Sequence, residues 1–293
     1  MVFRGCRATD GGPWSPGRTR PPAHLFVHAI TCCHTPAVAE PLPFDRCLDE
    51  IESSAAHLVS RAGSAGLDAA VITCPEWTVA DLVAHQGMVH RWAAAQLRLD
   101  ETPVPSHSEF LTSVPRSQLL TWFADGVREL METLRTVDPD VPALVFLRDA
   151  PRPAHFWARR QAHETTVHSV DVLSAVLGRL PSAAESGIDP DMALDGIDEL
   201  LTGFFPRGRT KLAELAPLTL AVTPSDAKRA WTVLVDGERL TTIREHHPDT
   251  DATFVGTAVQ LYLGLWNRGA EIIATGRPGV LKAWGERQRV HWS

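Results

Sequence analysis

Residues 163–168 read His-Glu-Thr-Thr-Val-His, two imidazoles and a carboxylate within six positions. Side chains of these types bind divalent metals, move protons or pair with one another. Helical geometry sorts them. Successive helical residues advance about 100°, so His163 and His168, five apart, diverge by about 140° and cannot easily grip one ion. Glu164 and His168, four apart, diverge by only about 40° and present an oxygen and a nitrogen to one place. A third ligand has to come from another helix. His85 fits best, because it shares an apolar stripe with Leu82, Val89 and Trp92, whereas His90, five residues on, turns away from that stripe. Two histidines and one carboxylate, with positions left open, suit zinc or ferrous iron. Without a metal the same residues would read as a satisfied core histidine and a helix-surface pair.

Helices must carry these residues. Phe44, Leu48, Ile51, Ala55, Leu58 and Val59 recur at helical spacing, and Gly63 and Gly66 end that pattern. Thr78 caps the next helix, with Asp81 completing a variant capping box, and His85 lies two turns in. A third helix is expected over about 117–137, with Leu120, Phe123, Val127, Leu130, Met131 and Leu134 inward. The fourth runs from Pro153 to Gly178 and holds Glu164 and His168. Asp189-Pro190 starts a fifth, whose apolar residues extend to Phe205. Long helices joined by loops predict an up-down antiparallel bundle over residues 43–208.

The period changes after Pro217. Residues 218–222, 231–235 and 239–244 alternate as strands, the last two joined by an Asp236-Gly237 hairpin turn. A strand at 253–255, a buried helix at 260–266, a strand at Ile272 and Ile273 and a last helix at 280–284 complete a small α+β domain over 214–293.

Composition bounds the rest. The chain has 293 residues, 44% of them hydrophobic, enough for two domains and a sizeable core. A net charge of −7 without a basic cluster argues against nucleic-acid binding. No run approaches about 18 apolar residues, so no membrane span is expected. Five cysteines in a chain of this size fit reduced thiols in the cytoplasm rather than a disulfide scaffold. Residues 1–42 contain six prolines and no usable period, and read as a disordered extension whose deletion leaves folding and metal content unchanged. His24, His28, Cys32, Cys33 and His34 sit there at metal-like spacings, but no second Cys-x-x-Cys follows, so they read as solvated.

Three segments together carry a family resemblance. Cys74-Pro-Glu-Trp-Thr-Val-Ala-Asp-Leu-Val-Ala-His85 with Val89-His-Arg-Trp92, Arg160-Gln-Ala-His-Glu-Thr-Thr-Val-His-Ser-Val-Asp171, and Leu261-Tyr-Leu-Gly-Leu-Trp-Asn-Arg268 resemble the mycothiol-dependent maleylpyruvate isomerase family. The similarity covers about 44–293. It implies a DinB-like four-helix bundle, a sterol-carrier-like C-terminal domain, and His85, Glu164 and His168 as the ligands of a zinc ion. It further implies mycothiol as the thiol cofactor, a small carboxylate or electrophilic substrate, and an isomerase or a related thiol S-transferase. An arginine of the C-terminal domain is implicated in that family's activity, and Arg268 matches it, with a substrate carboxylate as its expected partner. Gln86 departs from the family pattern, where an apolar residue is common. Asp171 is placed to accept a ring N–H from a ligand histidine, but reads more simply as a solvent-facing carboxylate. The competing reading is a non-catalytic metal-binding bundle joined to a module for apolar ligands.

Overall fold

The computed structural model describes residues 41–147 and 150–288. The expectation for residues 1–42 therefore falls almost wholly outside the described residues. Leu42, at its end, is anchored: its N–H donates to Asp195 Oδ1 at 3.0 Å and its carbonyl accepts from His155 Nε2 at 2.6 Å.

Four long helices make the N-terminal domain: α1 (Phe44–Ala65), α2 (Val79–Leu97), α4 (Leu119–Thr136) and α5 (Pro153–Leu177), with a short α3 (His107–Ser113) between α2 and α4. α1 lies along α5, α2 lies along α4, and α2 also meets α5. The local signals explain the boundaries. Gly66 stops α1 at a positive φ of 82°, so the helix passes through Gly63, where nothing requires a break. The Thr78/Asp81 capping box starts α2 as expected. α3 has no apolar stripe and no buried residue, so periodicity misses it, although Ser106 and Glu109 form a capping box.

α1 and α4 are amphipathic, with one face in the core. α5 is different: from Phe156 to Val172 every residue is buried. A helix buried all round must satisfy polar side chains internally, and those polar residues form the site described below.

The chain continues through α6 (Ala183–Ser186) and α7 (Pro190–Asp198). The α-helix expected to run on to Phe205 instead becomes a π-helical turn over Glu199–Phe204, marked by Phe205 N–H donating to Leu200 O. Such turns insert a residue and re-aim side chains, and Glu199 here faces Arg160 of α5.

The C-terminal domain is α+β. Its five-stranded sheet contains β1 (Leu218–Pro224), β2 (Trp231–Asp236), β3 (Arg239–Ile243), β4 (Ala252–Gly256) and β5 (Ile273–Gly276), in the order β3-β2-β1-β4-β5. β1 and β4 are parallel, with Val222 opposite Phe254, and the other pairs are antiparallel. Gly237 turns the β2–β3 hairpin at φ 56°. β5 begins one residue later than expected, because Ile272 packs against Gly264 of α8 (Ala258–Leu265) instead of pairing. The chain then forms α9 (Val280–Arg287). α8 packs on α7, which ties the domain to the bundle. No helix among the described residues is long and apolar enough to cross a membrane.

Candidate metal centre

The fold brings His85 from α2 to Glu164 and His168 on α5. One nitrogen of each imidazole and one oxygen of Glu164 lie within 4.8 Å of one another, and all three residues are buried. Glu164 Oε1 is the common point, 3.3 Å from His168 Nε2 and 3.9 Å from His85 Nε2. The indole of Trp77 lies against His85, ring centroids 4.8 Å apart, and shields it from water.

A second layer of side chains orients each of these groups. Asp171 Oδ2 accepts from His168 Nδ1 at 2.8 Å, which leaves Nε2 facing Glu164. Arg160 Nη2 donates to Glu164 Oε2 at 2.9 Å, which leaves Oε1 for the histidine side, and Arg160 Nη1 in turn binds Glu199. The Arg160 guanidinium also sits 5.0 Å from the Phe204 ring centroid and 5.7 Å from that of Trp266.

Asp171 corrects the expectation of a solvent-facing carboxylate. It is fully buried and serves as the hub of the second layer. Besides His168 it accepts from Arg268 Nε at 2.9 Å, Arg268 Nη2 at 3.1 Å and the Thr73 hydroxyl at 2.5 Å. Spacing alone places Asp171 almost one turn beyond His168, but it cannot show that the C-terminal domain covers it. Arg268 reaches this point through a Schellman motif at the end of α8. Asn267 takes φ 61°, its N–H bonds to Gly264 O, and Arg268 N–H bonds to Leu263 O at 2.7 Å. Asn tolerates that left-handed conformation better than most residues.

Electrostatics follow the layout. Burial pulls His168 toward its neutral form, but the hydrogen bonds to Asp171 and Glu164 win and raise its pKa to about 9. Burial would raise Asp171, yet the Arg268 charge and the His168 bond hold it well below the usual carboxylate range. Glu164 is likewise held low, against burial, by His168, His85 and Arg160. Burial dominates at His85 and lowers its pKa, so it stands neutral. The two imidazoles therefore have different environments: one ready to bind, the other ready once it gives up a proton. Two nitrogens and one carboxylate oxygen, the carboxylate and one imidazole held by further hydrogen bonds, are a donor set that fits zinc or another divalent ion.

The other histidines lie outside this cluster. His163 is buried on another face of α5, 2.7 Å from Asp195 Oδ2 and 3.3 Å from Tyr262 Oη. His90 is also fully buried, with Nε2 2.9 Å from Thr165 Oγ1. Gln86, the departure noted in the sequence, bonds to His90 and Thr165 in the same pocket of polar groups.

A cleft of about 740 Å³ opens over the triad, lined from both domains. Arg268 reaches it, as do Cys74, His107 and Trp266. These last three escape a search by helical spacing, since they stand in a loop, at the first turn of α3 and at the end of α8.

Residues 48–173 match the mycothiol maleylpyruvate isomerase N-terminal domain, and residues 191–289 match the MDMPI C-terminal domain. The chain belongs to the mycothiol-dependent maleylpyruvate isomerase family. Both family domains are thus present, in order, and together they carry every residue of the cleft's metal-binding wall. A solved mycothiol-dependent maleylpyruvate isomerase, and a histidine-to-alanine variant of it, each share 14% identity with this chain. Each comparison covers 80% of this chain and 93% of the other, with a TM-score of 0.56, which shows a common fold. A UbiJ-SCP2 ubiquinone synthesis protein is 19% identical over 32% of this chain and 90% of its own, but at a TM-score of 0.24. No curated protein sequence matches the chain.

Proposed function

We propose that this chain is a divalent-metal enzyme, zinc being the metal its ligands suit best, that activates mycothiol for maleylpyruvate isomerase-like cis–trans isomerisation or a related thiol transfer. The observation that carries this reading is the buried His85–Glu164–His168 cluster at the floor of the cleft, with Asp171 behind His168 and Arg160 behind Glu164. When bound, the ion supplies the positive charge that keeps a thiol in its nucleophilic, deprotonated form near neutral pH.

The chain's own residues prepare that chemistry. Asp171 holds the His168 proton on Nδ1 and frees Nε2 as a ligand atom. Arg160 engages one oxygen of Glu164 and leaves the other for the ion. Trp77 covers His85 and limits water at the triad. Arg268 acts here through Asp171: two of its nitrogens, Nε and Nη2, bind that carboxylate, and Nη1 bonds to the Trp266 carbonyl at 2.8 Å. It is a positioning residue in this arrangement. Cys74 also lines the cleft, but burial and the nearby Asp171 charge push its thiol up to about 11, so it remains a neutral thiol. A cytoplasmic setting, where small thiols stay reduced, suits this use.

Elemental analysis of purified protein combined with a thiol-dependence assay tests the reading. About one divalent ion per chain is expected, with isomerase or transferase turnover that requires both ion and mycothiol. Protein that folds but binds no divalent ion, or turnover indifferent to the thiol, would remove it.

A further inference from the structure

Two arginines hold buried carboxylates at this centre, and they do so differently. Arg268 closes its fork on Asp171: Nε donates to Oδ1 at 2.9 Å and Nη2 to Oδ2 at 3.1 Å. Guanidinium and carboxylate favour this bidentate match. Arg160, one turn before Glu164 on α5, departs from it. Its Nη2 donates to Glu164 Oε2 at 2.9 Å, but Nε, on the same edge of the guanidinium, is buried without a hydrogen-bond partner. Glu164 Oε1 is thereby left to the histidines, 3.3 Å from His168 Nε2 and 3.9 Å from His85 Nε2.

The third nitrogen makes the difference. Arg268 Nη1 bonds to the neutral Trp266 carbonyl, whereas Arg160 Nη1 bonds to the Glu199 carboxylate. Glu164 and Glu199 thus hold the Arg160 guanidinium by its two terminal nitrogens. The π-helical turn that brings Glu199 here also supplies Phe204, whose ring centroid lies 5.0 Å from the guanidinium. One segment therefore fixes Arg160 at its edge and at its face, and π-turns recur at functional sites. Among the described residues Arg160 is the one hydrogen-bond donor to the Glu199 side chain, whose Oε1 is buried without a partner. An unpaired buried carboxylate oxygen is costly, and a residue that served packing alone would avoid it. Charge points the same way. An unopposed guanidinium beside the triad would repel a divalent ion and compete for Glu164, and the Glu199 charge cancels it.

Resting on the metal reading of the triad above, we propose that Glu199 is a positioning residue for the metal centre: by holding the Nη1 arm of Arg160 it keeps the guanidinium from closing its fork on Glu164 and leaves Oε1 to the ion. The π-helical turn that follows α7 is then part of the site's construction, although it contributes no ligand.

Competition for zinc against a chromophoric chelator, on protein whose chelated form melts cooperatively, tests this with native protein, Glu199→Gln and Arg160→Gln/Glu199→Gln. Glu199→Gln keeps the shape and an acceptor for Arg160 but removes the opposing charge. It should weaken zinc binding about 10- to 100-fold. The double variant removes the guanidinium as well and restores the native charge balance, and the amide at position 160 can still donate to Glu164 one turn on. Its affinity should return to within about threefold of native, a rescue that a purely structural role for Glu199 does not produce. Zinc affinity of Glu199→Gln within threefold of native overturns the proposal, and so does a double variant that binds no more tightly than the single one. Should Glu199→Gln fail to fold, the double variant decides alone: affinity within threefold of native supports the proposal, and a larger loss overturns it. Native protein that folds but binds no zinc removes the metal reading and this proposal together, whereas native binding with unaltered variants removes the proposal only.

Discussion

Replacing Asp171 by Asn tests the second layer of the site with almost no change in volume. In the native protein both carboxylate oxygens are used: Oδ2 accepts from His168 Nδ1 at 2.8 Å and from Arg268 Nη2 at 3.1 Å, and Oδ1 accepts from Arg268 Nε at 2.9 Å. An amide offers one acceptor and one donor. Whichever way it turns, an N–H₂ group confronts either the His168 N–H or the Arg268 fork. If the amide oxygen takes the Oδ1 position, where it accepts from Arg268 Nε and the Thr73 hydroxyl, His168 loses its orienting partner. Loss of such a partner typically lowers metal affinity about 10- to 100-fold, or about 1.4–2.7 kcal/mol. Fold stability falls too, because Arg268 is left with a weaker counterpart. Outright removal of one partner of a buried ion pair costs about 3–5 kcal/mol, and the retained amide oxygen places this variant below that range. The assay is competition for zinc against a chromophoric chelator, with circular dichroism and thermal melting of loaded and chelated protein as controls. A folded Asp171→Asn protein whose zinc affinity stays within about threefold of native would refute the inference that Asp171 positions His168.

The remaining predictions concern register, protons and packing. His85→Ala, Glu164→Ala and His168→Ala are each expected to lose the metal and any thiol chemistry, while His163→Ala and His90→Ala keep the metal, by elemental analysis; loss of metal in His163→Ala but not His168→Ala would place the site on the wrong face of α5. Metal binding must displace the proton that His168 holds up to about 9, so apparent affinity should rise about tenfold per pH unit from pH 7 toward 9 and then level off. The linkage has the opposite sign for metal-free protein. A pKa raised above 6.5 on folding contributes stability that is fully present below that pH and lost as pH rises through about 9, so chelated protein should melt lower at pH 9.5 than at pH 6.5. Gly196→Ala should lower the melting temperature at a cost of about 1–3 kcal/mol, since its new methyl would run into the Tyr262 ring and His163 where α7 meets α8 and α5.

The ligand triad was legible in the linear sequence because its physics is local. A helix converts spacing into direction, so four residues between Glu164 and His168 already place them on one face, and the apolar neighbours of His85 already turn it inward. The Thr78 capping box, the Asp189-Pro190 start and the Asp236-Gly237 hairpin are likewise encoded within a few residues. What surrounds the triad is not local. Asp171 reads as a surface carboxylate until α8 ends in a Schellman turn that lays Arg268, 97 residues away in the chain, against it. Arg160 bonds to Glu164 within its own helix, but Glu199 faces it only because α7 gives way to a π-helical turn. Burial, and the Arg268 charge that holds Asp171 low, depend on which distant segments close over a side chain. That is a property of packing between the two domains, which no short window of sequence contains.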